Sequence, residues 1–460
     1  MTRKKQGITV GVFTTVVISA LIAWWLMPKS YEELIPAQAK AVVRIVSAEM
    51  QNQTNALSTL QNTLGISADG IDASSPIYAF ITPNEYIGFV AKTGNEQAIS
   101  NQIARLALQK KCLPTEKIDN INWAWLNSGW LLAWNDRVVW ALGPGVASER
   151  DLLRQTMTSM LETSDCFTKT DAYKHLESQG GTMQMFATLD ALPTPYNLLF
   201  RLNIPSDFDP SAIQMFASIC TKNNEWIVKS NLTSENESIV KALEAKRKEN
   251  NDNYLSVSSL NNNHLFSLAT KSTGKQMLQL LKTDATLRGL LMALNQTIDA
   301  DKIISNCNGL FTLSIDSISS NWEPSFCLKF DTKANNQFSD ADYWMESAKK
   351  QKEVDLKRFS PTSYYLRSEK QNVYFGLNDA NNKVYFASPA MLKCINEKNT
   401  WSTTISNKNV TAYFYINLQK LYAQPCMKNG ASNIIKMLLP GNKAVTYIAT
   451  DGLKSTLIIE

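Results

Sequence analysis

Histidine is nearly absent from this 460-residue chain, which carries only His175 and His264, far apart and outside any motif. Imidazole is the commonest general base near neutral pH, so its scarcity counts against triad hydrolysis while leaving carboxylate chemistry open. HExxH and GxSxG do not occur. Ser272-Thr273-Gly274-Lys275-Gln276 fails as a phosphate loop, because Ala269 stands where the first glycine belongs and Gln276 replaces the Ser or Thr. No two of the seven cysteines form a CxxC pair, which argues against clustered zinc sites and thioredoxin-type redox motifs. Excess charge is also lacking. The 46 Lys and Arg against 41 Asp and Glu leave +5, and Arg3, Lys4, Lys5 and Lys29 flank one apolar segment. Without a basic stripe, nucleic acid is not an expected partner. Asp207 with Asp209, Asp340 with Asp342, and the Asn-Asp run at 378–382 lack the calcium-loop pattern ending in Glu. No metal and no cofactor is expected.

What is present begins with Ile8 to Met27, ITVGVFTTVVISALIAWWLM, an uncharged run. As a helix it would span about 30 Å, the thickness of a bilayer's hydrocarbon core. The cations before it favour a cytoplasmic N-terminus, and Trp24 and Trp25 suit an interfacial belt. A cleaved signal peptide is the alternative, but Trp-Trp-Leu-Met occupies the place of a small-residue cleavage motif. The expectation is a single-pass membrane protein with a tail and transmembrane anchor over 1–30 and the bulk of the chain extracytoplasmic.

The remainder, with 44% hydrophobic residues overall, is ample for packed cores. LIPAQAKAVVRI (Leu34 to Ile45) leads into a strand and a polar helix. SPIYAFITPNEYIGFVAK (Ser75 to Lys92) reads as a hairpin about Pro83-Asn84-Glu85, followed by a helix over 96–110. INWAWL, WLLAW and RVVWAL follow, then a helix that the capping box Ser148 to Asp151 starts. TMQMFATL, a Pro-containing helical stretch and the hairpin FASICTKNNEWIVKSNL complete a first half, and KENNDN marks its boundary. The second half repeats this order, and AVTYIATDGLKSTLII closes it as a hairpin on Asp451-Gly452. The expected fold class is therefore α+β: an N-terminal transmembrane helix, then two similar halves, 31–250 and 251–460. Each is a mostly antiparallel sheet reading βα-ββα-βββα-βα-ββ with helices packed on one face. Residues 34–248 and 252–460 are expected to share one strand order.

Trp123, Trp125, Trp130, Trp134 and Trp140 crowd one stretch. Trp123 and Trp125 share a strand face, so with Trp130 they are candidate binding residues for a sugar or a partner protein. The favoured alternative makes them core, with Ala124 and Leu126 showing the reverse burial. Cys112–Cys166 and Cys394–Cys426 are the disulfide candidates, since each pair follows helices of adjacent units.

The segments Leu34 to Ile45 and Ser75 to Lys92 resemble an uncharacterised family of exported Bacteroidetes envelope proteins, classed only as a domain of unknown function. The resemblance implies an envelope-attached protein without assigned activity and carries over no site residues. The expected function is a membrane-anchored, non-enzymatic binding or structural role. The partners would be the membrane through Ile8–Met27 and an envelope protein or polymer. An exported hydrolase using carboxylates is the alternative.

Overall fold

Runs such as IYAFI (77–81) and KVYFA (383–387) mix β-branched and aromatic residues at a period of two, which suits a pleated surface packed on its faces. In the computed structural model both are antiparallel strands. The structure describes residues 30–46, 64, 68–191, 208–222, 225–250, 255, 264–283, 285–320, 323–332, 337–351, 353–368, 372–378, 382–396, 410–425, 444–449 and 454–459. The chain forms two compact units, 1–179 and 180–460.

The first unit holds β1 (Ala41–Ile45), β2 (Ile77–Ile81), β3 (Ile87–Lys92), β4 (Glu116–Ile118), β5 (Ile121–Trp125), β6 (Leu131–Trp134) and β7 (Val138–Gly143). Helices α1 (Glu96–Leu108), α2 (Arg150–Glu162) and α3 (Asp171–Ser178) accompany them. The strands pair in the order β4-β5-β6-β7-β3-β2-β1. Asn95 caps α1, its Oδ1 accepting from the Ala98 amide at 3.0 Å.

The second unit holds β8 (Met183–Thr188), β9 (Gln214–Lys222), β10 (Glu225–Thr233), α4 (Glu237–Asn250), β11 (Phe266–Thr273), α5 (Gly274–Thr283), α6 (Ala285–Asn295) and α7 (Ala300–Ser305). After them come β12 (Cys307–Ile318), β13 (Pro324–Thr332), α8 (Ala341–Ala348), β14 (Val354–Ser360), β15 (Ser363–Ser368), β16 (Asn372–Asn378) and β17 (Lys383–Ala387). A 3-10 helix, Pro389–Ile395, then precedes β18 (Ala412–Asn417), α9 (Leu418–Tyr422), β19 (Ala444–Ala449) and β20 (Lys454–Ile459). Its sheet begins β14-β15-β16-β17-β13-β12-β11, the order of the first unit one repeat later. It continues β18-β19-β20-β10-β9-β8, in which β8-β9-β10 mirrors β18-β19-β20. This repetition of order divides between β10 and β11, not at the division into compact units.

The expected fold class requires correction. The span Ile8–Met27 lies outside the described residues, and among the described residues no helix is long and apolar enough to cross a membrane. The transmembrane helix, and with it the single-pass localisation, is therefore unsupported. The triple of strands is a quadruple: the exposed Glu116–Ile118 and the polar Val354–Ser360 add β4 and β14, which charge-rich sequence disguised. Helices also cover both sheet faces. On β13 and β17, Phe330, Val384 and Phe386 pack with Met277, Ile303 and Trp344 of α5, α7 and α8. Cys327, Tyr385 and Ala387, one residue out of phase, pack instead with Met391 and Cys394 of the 3-10 helix. A sheet with apolar residues on both faces needs cover on both. Ser148 does not cap α2. A 3-10 turn, Ala147–Glu149, intervenes, and the Glu149 carboxylate accepts from the Val146 amide at 2.9 Å.

Candidate functional site

In the second unit a cluster of titratable groups arises where the 3-10 helix meets β13. The helix is pinned at its start: Ser388 donates its amide to Phe326 O (2.9 Å), and Ser388 Oγ accepts from the Phe326 amide (3.0 Å). Proline at the next position costs no hydrogen bond there. One helical pass later, Cys394 lies over the β13 face that carries Cys327 and Lys329. Lys329, only 6% exposed, donates from Nζ to Cys394 O at 3.0 Å, where the helix's free carbonyls favour a cation.

His264, just ahead of β11, reaches the same place. Its Nδ1 lies 2.5 Å from Asp316 Oδ1 of β12, and its Nε2 lies 3.6 Å from Cys394 Sγ. The Cys394 thiol also hydrogen-bonds Cys327. The result is a chain of groups: carboxylate, imidazole, thiol, thiol. Hydrogen bonding with Cys327 and burial push the Cys394 thiol far above its ordinary range, against a smaller lowering by His264. For His264, burial acts downward most strongly, but the bonds to Cys394 and Asp316 outweigh it and raise the pKa. The order Cys–His–Asp is that of thiol hydrolases, but the chemistry differs. While the 3-10 helix stays packed, a thiol held protonated is a poor nucleophile, and with Cys394 and Cys327 at 3% and 1% exposed a hydrolase substrate has no approach. Among the described residues no group of three or more His, Cys, Asp or Glu is placed to hold a metal ion.

In the first unit a second polar cluster closes on one carboxylate. Glu32 Oε1 accepts from Tyr31 and Tyr78 hydroxyls (3.1 and 2.9 Å), and Oε2 accepts from Tyr173 (2.9 Å). Arg44 Nε donates to Tyr78 Oη at 3.2 Å. Burial first, then charge on Glu32 and the neighbouring phenols, raises the pKa of Tyr31 and Tyr173, and burial and Glu32 raise that of Tyr78. The network ties the segment around Glu32 to β2 and α3.

The sequence candidates are placed otherwise than a binding platform requires. Trp123 and Trp125 are buried, and so is Trp130, whose ring lies 5.5 Å from that of Phe89. Trp123 meets the edge of Trp140 at 5.9 Å with the Arg154 guanidinium above it at 5.7 Å. Ala124 and Leu126 are buried as well, so the reverse burial expected of them does not occur. The reason is cover from both sides. Trp134, on the opposite face from Trp123, donates from Nε1 to Ser100 Oγ of α1 at 3.0 Å, while α2 lies over Trp123.

The disulfide candidates Cys112 and Cys166 are buried free thiols with separate partners: Cys112 donates to Ile103 O (3.6 Å) and Cys166 lies 3.2 Å from Thr168 Oγ1. Cys394 is not in a disulfide, and Cys426 lies outside the described residues. Sequence reasoning missed the group Cys327, Lys329 and Asp316. The alternation in SFCLKF would have set Cys327 and Lys329 on one face, but no sequence signal connects them to His264 or Cys394.

No curated protein matches the chain. Among solved structures it is similar to one titled "Structure of crystal form I of TP0453", with 12% identity, 51% of this chain and 90% of that one covered, and a TM-score of 0.33. At that score the likeness assigns neither fold nor role. A family model matches residues 50–439, most of the length, and the chain belongs to that family, the domain of unknown function DUF4836.

Proposed function

We propose that this protein is a non-enzymatic binding protein that holds a polysaccharide on one face of β14–β16. The observation that carries this reading is an incompletely covered aromatic strip. Phe359 is 62% exposed and meets the ring edge of Tyr374 at 5.0 Å, and Tyr374 lies 4.5 Å from Tyr365. Both tyrosines are part-exposed. Tyr365 and Tyr374 are directly opposed across β15 and β16, so they share the face. Around the rings stand exposed Arg367 and Asn372, and a Lys357–Asp355 ion pair that leaves the surface near neutral. Rings that stack on C–H faces, with amide and guanidinium donors beside them, suit a neutral glycan better than an acidic polymer. The exported envelope family that the N-terminal segments resemble supports an envelope polysaccharide as that glycan. Against an enzyme, the resolved carboxylate shifts run downward, as at Asp72, Glu116, Asp301 and Asp340, whereas a general acid needs an upward one.

Titration calorimetry with soluble neutral oligosaccharides, β-1,4-linked N-acetylglucosamine and glucan oligomers, tests the reading. Saturable binding should weaken about tenfold or more in the Phe359→Ala/Tyr365→Ala double variant. Absence of binding, or equal binding by the variant, overturns it.

A further inference from the structure

We propose that Cys327 and Cys394 are a redox pair that closes a reversible disulfide between β13 and the 3-10 helix. The two thiols belong to one buried cluster with Tyr385, Ala387 and Met391, and Lys329, on the same β13 face as Cys327, holds the Cys394 carbonyl. Their backbones are held in place independently of the sulfurs, by Lys329 on the Cys394 carbonyl and by the paired Ser388–Phe326 bonds. His264 stands on the far side of Cys394 as a proton acceptor in its neutral form, oriented through Nδ1 by Asp316. Pairing with a carboxylate makes the ring a stronger base and fixes which nitrogen faces the sulfur.

The co-reactant is a low-molecular-weight or protein disulfide, R–S–S–R. The Cys394 thiolate, its proton passed to His264, attacks one sulfur and expels RS⁻, which becomes RSH by taking up a proton. The Cys327 thiolate then attacks Cys394 Sγ in the mixed disulfide and releases the second RSH. Two protein thiols lose two electrons and two protons, and the reagent gains them. Because both sulfurs are buried, exchange requires the 3-10 helix to lift, which makes the native reaction slow and shields the finished bond. Cys307 offers an internal contrast. It packs on the other face of the sheet, and burial, with Asp331, pushes its pKa up to about 12.

The test is incubation of the reduced full-length chain with glutathione disulfide, followed by intact-mass measurement and peptide mapping. The expected result is a loss of two hydrogens without a glutathione adduct, with Cys327 and Cys394 joined. In Cys327→Ser, glutathione should stay on Cys394. In His264→Asn the exchange should slow and lose its pH dependence in the imidazole range. If Cys327→Ser fails to fold, mapping of the unaltered chain decides alone. Cys394 joined to any other cysteine, a retained glutathione on the unaltered chain, or two unreacted thiols would each overturn the proposal.

Discussion

The sheets β4–β7 and β14–β17 share one strand order, but the aromatic residues Trp123 of the first and Phe359 of the second have opposite fates. In the first, α2 follows β7 and reaches across the sheet: Arg154 covers Trp123 on β5, and Arg150 and Arg154 both bind Glu116 on β4. In the second, the 3-10 helix after β17 packs on Tyr385 and Tyr374, and among the described residues that cluster includes none from β14 or β15. Trp123 is 4% exposed as a result, and Phe359 is 62% exposed. Whether these aromatic residues become core or surface thus follows from which strands the next helix covers, not from the strand's own alternation.

The largest expected effect follows from that contrast. Trp123→Ala or Trp134→Ala should each destabilise by about 3–5 kcal/mol, since both leave a cavity between sheet and helix. Phe359→Ala should cost less than about 1 kcal/mol, as a largely exposed ring leaves no such void. Urea unfolding of the three variants measures both sides, and equal losses would erase the distinction between the sheets.

The next effect concerns the polar cluster that belongs to the first unit alone. Replacing Glu32 by Gln removes the charged acceptor of three phenols, and a loss of about 1–3 kcal/mol is expected. With the carboxylate gone, the tyrosines should ionise at lower pH than in the unaltered chain, which alkaline absorbance titration reads directly. Unchanged titration curves would show that burial alone holds these phenols neutral.

How much of this was legible beforehand depends on distance along the chain. Alternation in IYAFI, INWAWL, SFCLKF and KVYFA located strands, because a strand's period is written locally. The same alternation puts Trp123 and Trp125 on one face correctly, yet it predicts exposure for Ala124 and Leu126, which are buried. Nothing local records that α1 returns over one face and α2 over the other. Cys394 was matched with Cys426 by position after helices, whereas the fold brings it to Cys327, His264 and Lys329. Those contacts depend on where β13 pairs β17 and where the 3-10 helix is pinned, which are long-range facts.

A smaller, pH-dependent effect distinguishes the units. The folded-state pKa of His264 is raised above the ordinary 6.5, so protonation favours the folded form. Its contribution is complete below about pH 6.5 and is lost as pH rises through the folded-state value. Melting temperature of the second unit should fall across that window. Asp316→Asn, by removing the charge that favours imidazolium, should flatten the slope. A slope that persists in His264→Asn would assign the titration elsewhere.

The smallest effect compares the two arginine clamps. Glu116 accepts from Arg150 and from Arg154 (2.7 Å), and its own pKa is lowered by those bonds. Asp342, 81% exposed, accepts from Arg358, and that guanidinium lies 5.8 Å from the Tyr364 ring. Exposed ion pairs contribute about 0–1 kcal/mol each, and Glu116 is itself 44% exposed, so screening limits even the double clamp. Glu116→Gln should cost about 1 kcal/mol, because two part-buried guanidiniums lose their counter-charge over Trp123. Asp342→Asn should cost a few tenths at most, roughly the scale of a solvated pair. Raising salt should shrink the first loss and leave the second near zero. If both substitutions proved equal and insensitive to salt, the clamp on β4 would hold its helix by the packing of the arginine stems, and the ion pairs would be incidental to the cover that keeps the tryptophans inside.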